Sequence, residues 1–292
     1  MVTSEVLRKL PGYRELDLTR FPPIALIGYN GTGKTYLAAS ATKVPELCPV
    51  CLIAIAKTDA TLIGKKDIDA SQLVLLDPRE HMAKAHISNM WDATKQTLRS
   101  MGKLKPFPFR TVILDGISQM QYWAEARAVE QTPFHPDGGS VLLELTQQGD
   151  YRLAKDRMMG ELLSLLDVCD ANKAAFILTG QERLLQIIPE GEIQADEKGN
   201  QLKTYRATIA LMPSLIQDVL GLMTVVGRMR VAGGKFIMET RRSQYLDAKD
   251  QTGYLEDRTE MPTMAGIYKK LTEGGLKLGR NGTGPTEGKS ES

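Results

Sequence analysis

Gly28-Tyr29-Asn30-Gly31-Thr32-Gly33-Lys34-Thr35 decides the reading of this chain. The octapeptide satisfies G-x-x-x-x-G-K-[ST] at every fixed position, and its glycines let the backbone turn successive N–H groups into one concavity. Such a nest holds the β-phosphate of a nucleotide. Lys34 adds a point charge for the β- and γ-phosphates, and the Thr35 hydroxyl is a magnesium ligand. Context separates the pattern from an ordinary Gly-rich turn. Here it follows Ile24-Ala25-Leu26-Ile27, a buried strand of the parallel-sheet kind, and opens a helix through Tyr36-Leu37-Ala38-Ala39 whose positive end faces the same point. Gly28 through Tyr36 are therefore the expected nucleotide contacts.

Working outward, four more apolar runs read as strands: CLIAIA (51–56), LVLLD (73–77), TVILDG (111–116) and AAFILTG (174–180). Between Arg79 and Met101 the positions Ile87, Met90, Trp91, Leu98 and Met101 recur at helical spacing, and residues 151–170 form a helix with Leu153, Met159, Leu162, Leu163 and Leu166 on one face. Residues 132–150 read as a long loop of the functional kind. After residue 180 the grammar changes. LLQIIPEG and QLKTYRATIAL flank ADEKGN, and LMTVVGRMRV and KFIMETRRS flank Ala-Gly-Gly, so both pairs read as antiparallel hairpins, with a short helix from Pro213 between them. The expected division is an arm over 1–21, a main domain over 22–255, a short helical segment over 256–271 and a disordered tail over 272–292.

Asp115 ends the run VILD and so projects from the carboxyl end of a buried strand, where ligands of open α/β sheets bind. A carboxylate there holds magnesium through water, as in P-loop ATPases generally; a plain strand-ending Asp capping the next helix is the competing reading. The strands at 51–56 and 73–77 fall between the two motifs. That order fits the P-loop group in which an extra strand separates the two motif strands and a carboxylate polarises water. Guanine specificity would need N-K-x-D, and Asn172-Lys173-Ala174-Ala175 lacks the Asp. Asp59, in Lys57-Thr58-Asp59, is the candidate for the water-polarising group, with a solvated loop Asp as the alternative. Gln181 is the expected γ-phosphate sensor in preference to Glu182, whose charge would repel phosphate. The catalytic set is thus Lys34, Asp59, Asp115 and Gln181, with ATP and Mg2+ bound.

Composition narrows the class without naming it. The chain has 292 residues, 42% apolar and 25% charged, which is ordinary globular usage and excludes a fibrous or disordered protein. No apolar run reaches about 18 residues, so no membrane partner is expected. The first residues lack an apolar signal core, and a cytoplasmic location follows as the expectation. Lys plus Arg total 37 against 35 Asp plus Glu, a net of +2 that excludes a histone-like polycation. Cys48 and Cys51 form a C-x-x-C, but with Cys169 as the third thiol and His81, His86 and His135 unpaired in spacing, no zinc site assembles. Small residues packed at a strand start is the preferred reading.

On GYNGTGKT, TVILDGIS, the long helix leading to AAFILTGQE, and PSLIQDVLG followed by the GRMRV/KFIMET hairpin and YLDAKD (245–250), the chain over about 22–255 resembles the RecA-like P-loop ATPases. It is similar in particular to the short phage-type ATP-binding AAA-domain proteins that include Sak-type single-strand annealing recombinases. The resemblance implies an α/β fold with a mostly parallel central sheet, flanking helices and C-terminal antiparallel hairpins. It also implies Mg-dependent ATP hydrolysis, a homo-oligomer on single-stranded DNA, and a role in DNA recombination inside the host cell of a phage. Hairpins over 186–242, in place of an Arg-bearing helical lid, separate the chain from AAA+ proteins and nucleoside kinases. The family's Asp-Thr-Glu-like string corresponds to Lys57-Thr58-Asp59, with a shorter carboxylate. Its late Lys-x-Arg-like element, which reaches a neighbouring subunit, falls on Lys249-Asp250-Gln251, where Gln stands at the Arg position.

The last hairpin is basic. Arg228, Arg230, Lys235, Arg241, Arg242 and Lys249 stand against Glu239 and Asp247, six minus two, or +4. A ribbon of this kind tracks a phosphate backbone with steep salt dependence, points at nucleotide across a subunit interface, or guards a sheet edge from aggregation. Phe134 and His135 in the 132–150 loop offer a second place for bases to stack. Two other functions stay open: an ATP-driven adaptor or loader acting on a protein partner, which the C-terminal tail could contact, and a nucleotide switch with little turnover.

Overall fold

Strand β1 (Ile24–Gly28) lies inside one sheet with β2 (Val50–Ala54), β3 (Leu73–Leu76), β4 (Thr111–Asp115) and β5 (Ala175–Ile187), all parallel to one another. The computed structural model describes residues 20–57, 59–131, 148–187 and 204–276. Along it follow β6 (Thr204–Ile209), β7 (Val225–Ala232), β8 (Lys235–Glu239), β9 (Lys249–Asp250) and β10 (Arg258–Glu260). The order across the sheet is β10-β8-β7-β1-β5-β4-β2-β3, with β6 on β5 and β9 on β7. Strand β7 continues the parallel set, whereas β8, β10, β6 and β9 are antiparallel to their partners. This is the expected α/β architecture.

Alternation along β1 shows how the layers form. Ala25 and Ile27 face one core and Ile24 and Leu26 the other, as successive residues of a strand must. The first core is covered by α4 (Met90–Gly102), α5 (Ile117–Gln131), α6 (Gln148–Ala171) and α7 (Pro213–Leu222). The second is covered by α1 (Lys34–Ala39) and α8 (Met264–Glu273), which buries Met264, Ile267 and Leu271. Two short helices, α2 (Asp59–Leu62) and α3 (Pro78–Lys84), follow β2 and β3 in the chain. Strand β10 and helix α8 therefore extend the same sheet and core, and α8 runs two residues into the segment expected to be tail.

Four expectations change. The extra strand expected between the two motif strands is present, but it is β5, while 51–56 and 73–77 lie beyond β4; strand order in space does not follow order in the chain. AAFILTG and the following LLQI are one strand, β5, whose later residues 182–187 pair with β6. The 79–101 helix is two helices. Asp77 accepts from the Arg79 N–H to cap α3, His86 sits at φ 51, and Asn89 accepts from the Asp92 N–H to cap α4. On α6 the buried stripe is Ala154, Met158, Leu162, Leu165 and Cys169, leaving Leu153 and Leu163 exposed. Choosing the largest side chains rotates the stripe, because the neighbouring α5 also presents small residues, Ala124 and Ala128. The arm before residue 20, the 132–147 part of the expected loop with Phe134 and His135, the first hairpin's turn and the tail beyond 276 lie outside the described residues.

Candidate functional site

The loop between β1 and α1 turns through Gly31 at φ 76 and Gly33 at φ 84, a left-handed conformation that side chains disfavour. Gly28 is required for a different reason. A Cβ there would stand 2.3 Å from the Met229 carbonyl oxygen, because β7 runs directly beside β1. Thr32 Oγ1 donates to the Tyr29 carbonyl at 2.8 Å, closing the turn. Lys34 Nζ donates to the carbonyls of Gly28 and Tyr29 at 2.8 and 2.7 Å, so its ammonium is held at the loop's mouth. Burial lowers its pKa, opposed by the negative charges of Asp115 and Glu182.

Asp115 ends β4 and is 2% exposed, yet it reaches the loop: Thr35 Oγ1 donates to its Oδ1 at 2.9 Å. The register pairs Asp115 with Thr179 of β5. Thr179 Oγ1 donates to the same carboxylate oxygen and accepts from the Gly116 N–H at 3.0 Å. Asp115 is thus tied to two threonines of neighbouring elements. A hydroxyl and a carboxylate are hard oxygen donors of the kind magnesium takes. Among the described residues no three His, Cys, Asp or Glu side chains cluster as a metal cage. Magnesium needs none, since it keeps waters and completes its shell with phosphate oxygens.

Gln181 lies opposite Gly28, and its Nε2 donates to Asn30 Oδ1 at 3.4 Å, which brings the expected sensor to the loop. Glu182 is not the free anion that would repel phosphate. Its side chain is fully buried and accepts from Arg228 Nε at 2.8 Å and Nη2 at 2.7 Å. Asp59 opens α2, just past a turn where the Ala56 N–H donates to the Asp115 carbonyl at 3.1 Å; its side chain lies outside the described residues. Tyr36 directs its hydroxyl to Asp67, with Lys65 Nζ 5.9 Å from the ring centre.

The basic hairpin adjoins the loop, since a Cβ on Gly33 would stand 3.2 Å from the Phe236 ring of β8. Its charge is largely paired. Arg230 binds Glu239 at 2.8 Å, Lys235 binds Glu260 and Arg241 binds Asp257, both at 3.0 Å. Glu182, Glu260 and Asp257 lie outside 228–249 in the chain, so the local count of +4 overstates the field. Arg242 is exposed. Lys249 pairs with Val226, which faces Ala25, and so lies toward the amino end of β1, away from its own loop. The bond of Thr179 to Asp115, the Glu182–Arg228 pairing and the contact of Phe236 with the loop escaped sequence reasoning, because each joins residues far apart in the chain.

Burial pushes the Cys51 and Cys169 thiols up to about 12, which suits packed, inert sulfurs. No helix among the described residues is long and apolar enough to cross a membrane.

A search among curated proteins finds no match. A family model described as an AAA domain matches residues 20–252, which takes in the loop, Asp115, Gln181 and the basic hairpin together. A match over most of the chain, joined to a loop and carboxylate in this geometry, shows that the protein belongs to the AAA-domain family of P-loop NTPases.

Proposed function

We propose that the protein is a Mg-dependent ATPase of the RecA-like kind, working as an oligomer on single-stranded DNA in recombination or strand annealing. Its family implies ATP binding and hydrolysis. The observation that supports a magnesium-linked nucleotide site in this chain is the 2.9 Å bond between Thr35 and Asp115, two residues eighty positions apart. Lys34 and the loop amides would hold the β- and γ-phosphates, and Thr35 and Asp115 would hold the magnesium. Bound magnesium would supply neutralisation of the phosphate charge. Gln181, beside Asn30, would sense the terminal phosphate. Lys34→Ala is expected to abolish binding of ATP and ADP alike, measured by calorimetry; retained affinity refutes the phosphate site.

Support for DNA comes from the family resemblance and from one surface. Tyr245 and Tyr205 are 49% and 44% exposed, and Ala207 and Leu246 bridge their segments, beside exposed Arg241 and Arg242. Exposed rings with nearby guanidinium groups suit stacked bases and a phosphate backbone. The outer strand β3, with Val74 and Leu75 exposed, is the kind of edge an oligomer covers. Fluorescence anisotropy with labelled single-stranded DNA, with and without ATP and magnesium, tests the reading. Absence of an ATP-dependent change at low salt would favour an adaptor acting on a protein.

A further inference from the structure

We propose that Arg228 contacts the terminal phosphate of the ATP held by its own chain and that Glu182 is its positioning residue, an inference that rests on the ATP reading above. The two residues flank the end of β1. Arg228 lies opposite Ile27 on β7, and Glu182 follows Gln181, which lies opposite Gly28 on β5. Glu182 takes Nε and Nη2 of the guanidinium at 2.8 and 2.7 Å in a two-point grip. Nη1 stands 3.5 Å from Glu239, the outer limit of a hydrogen bond. A guanidinium has five N–H groups, so the grip fixes the plane of the fork and leaves hydrogens for a further acceptor. The Arg228 side chain is 24% exposed while that of Glu182 is 0% exposed, so the acceptor approaches the arginine from the open side.

Energetics argue against a merely structural pair. Taking a carboxylate and a guanidinium out of water costs as much as their attraction returns, and well-packed apolar residues fill such a place equally well. Orienting a cation gives the pair a reason. Gln181, the residue before Glu182, bonds Asn30 of the loop, so the buried pair stands at the loop's mouth. An incoming phosphate supplies the second anion, and a planar fork matches phosphate oxygens at two points. On the ATP reading Lys34 would span the β- and γ-phosphates, and Gln181, paired with Gly28 at the carboxyl end of β1 and bonded to Asn30, brings Glu182 to the mouth of the loop. The contact therefore belongs to the γ-phosphate, and ADP lacks it.

Binding of fluorescent ADP and of ATPγS, each with magnesium, tests this in the full chain. Arg228→Lys keeps a cation beside Glu182 but loses the fork; it is expected to leave ADP affinity within about twofold and to weaken ATPγS by about tenfold or more, the scale of one charge-assisted hydrogen bond. Glu182→Gln is expected to shift the same ratio less. Should Arg228→Lys fail to fold, the Glu182→Gln/Arg228→Gln double variant removes both charges together and is expected to show the same selective loss. Arg99→Lys alters a more exposed arginine–glutamate pair, with Glu161 in the helical layer, and is expected to leave the ratio unchanged. An equal fall for both nucleotides, or unchanged ATPγS affinity, overturns the assignment. If Lys34→Ala still binds both nucleotides, the ATP reading itself fails. If Lys34→Ala loses both while Arg228→Lys keeps the wild-type ratio, the arginine assignment alone fails.

Discussion

Thr179→Val removes one oxygen from the centre of the site and leaves the shape of the side chain in place. The hydroxyl donates to the buried Asp115 carboxylate and accepts from the Gly116 N–H at 3.0 Å. A hydrogen bond to a charged group contributes about 1.5–3 kcal/mol and a neutral one about 1 kcal/mol, while the added methyl returns about 0.8 kcal/mol. The net loss is about 2–3 kcal/mol, which in a domain of this size lowers Tm by about 5–10 °C. Thr179→Ser retains the oxygen and is expected to melt much closer to wild type. A second consequence concerns the metal. Removing the group that orients a ligating carboxylate typically weakens metal affinity about 10–100-fold. The magnesium concentration for half-maximal ATP binding should rise on that scale in Thr179→Val and little in Thr179→Ser. If the Thr179→Val protein melts with wild type and needs no more magnesium, Thr179 does not hold Asp115 in place.

Two further changes probe the loop and the helical layer. Gly28→Ala brings a Cβ to 2.3 Å from the Met229 carbonyl oxygen and 2.7 Å from Thr32 Oγ1; backbone cannot step aside as a side chain can, so β1 and β7 must part or the loop must shift. Nucleotide titration is expected to show at least tenfold weaker ATP binding, with about 1–3 kcal/mol of stability lost, the usual cost of overpacking. Asp92 titrates below the ordinary carboxyl range: burial opposes this, but the Asn89 hydrogen bond and the charges of Arg127 and Lys95 outweigh it. A lowered folded-state pKa contributes stability above the unfolded value of about 3.9 and loses it as pH falls through the folded value. The Tm gap between wild type and Asp92→Asn should therefore be constant above about pH 5 and close toward pH 3; a gap that persists in acid contradicts the linkage.

Much of the fold was legible because it rests on local pattern. Runs such as Ile24–Gly28 and Thr111–Asp115 are buried on both faces, and their unbroken apolar character marks strands of a parallel sheet. The break at residues 85–89 was harder to see, since the apolar spacing of 79–101 continues across it, and only the caps at Asp77 and Asn89 mark two helices. On α6 the spacing was visible but its phase was not, because Ala154 and Cys169 look less apolar than Leu153 and Leu163 while facing the core more squarely.

The site divides along the same line. The local form of everything contiguous in the chain, from Gly28 to Thr35, could be read from residue type alone, because it is one turn and the start of one helix. Asp115 needed one inference more, its place at the end of an apolar run. The hold of Thr179 on Asp115 and the pairing of Glu182 with Arg228 could not be reached that way. Thr179 meets Asp115 across 64 positions and Arg228 meets Glu182 across 46, and both meetings depend on β5 entering between β1 and β4 with β7 on β1's other side. No local signal encodes that order. The same gap misled the count of charge on the last hairpin, where the acids that pair Arg228, Lys235 and Arg241 come from β5, β10 and the segment before it. A basic run read along the chain measures composition; whether it presents a field depends on which strands the sheet sets beside it.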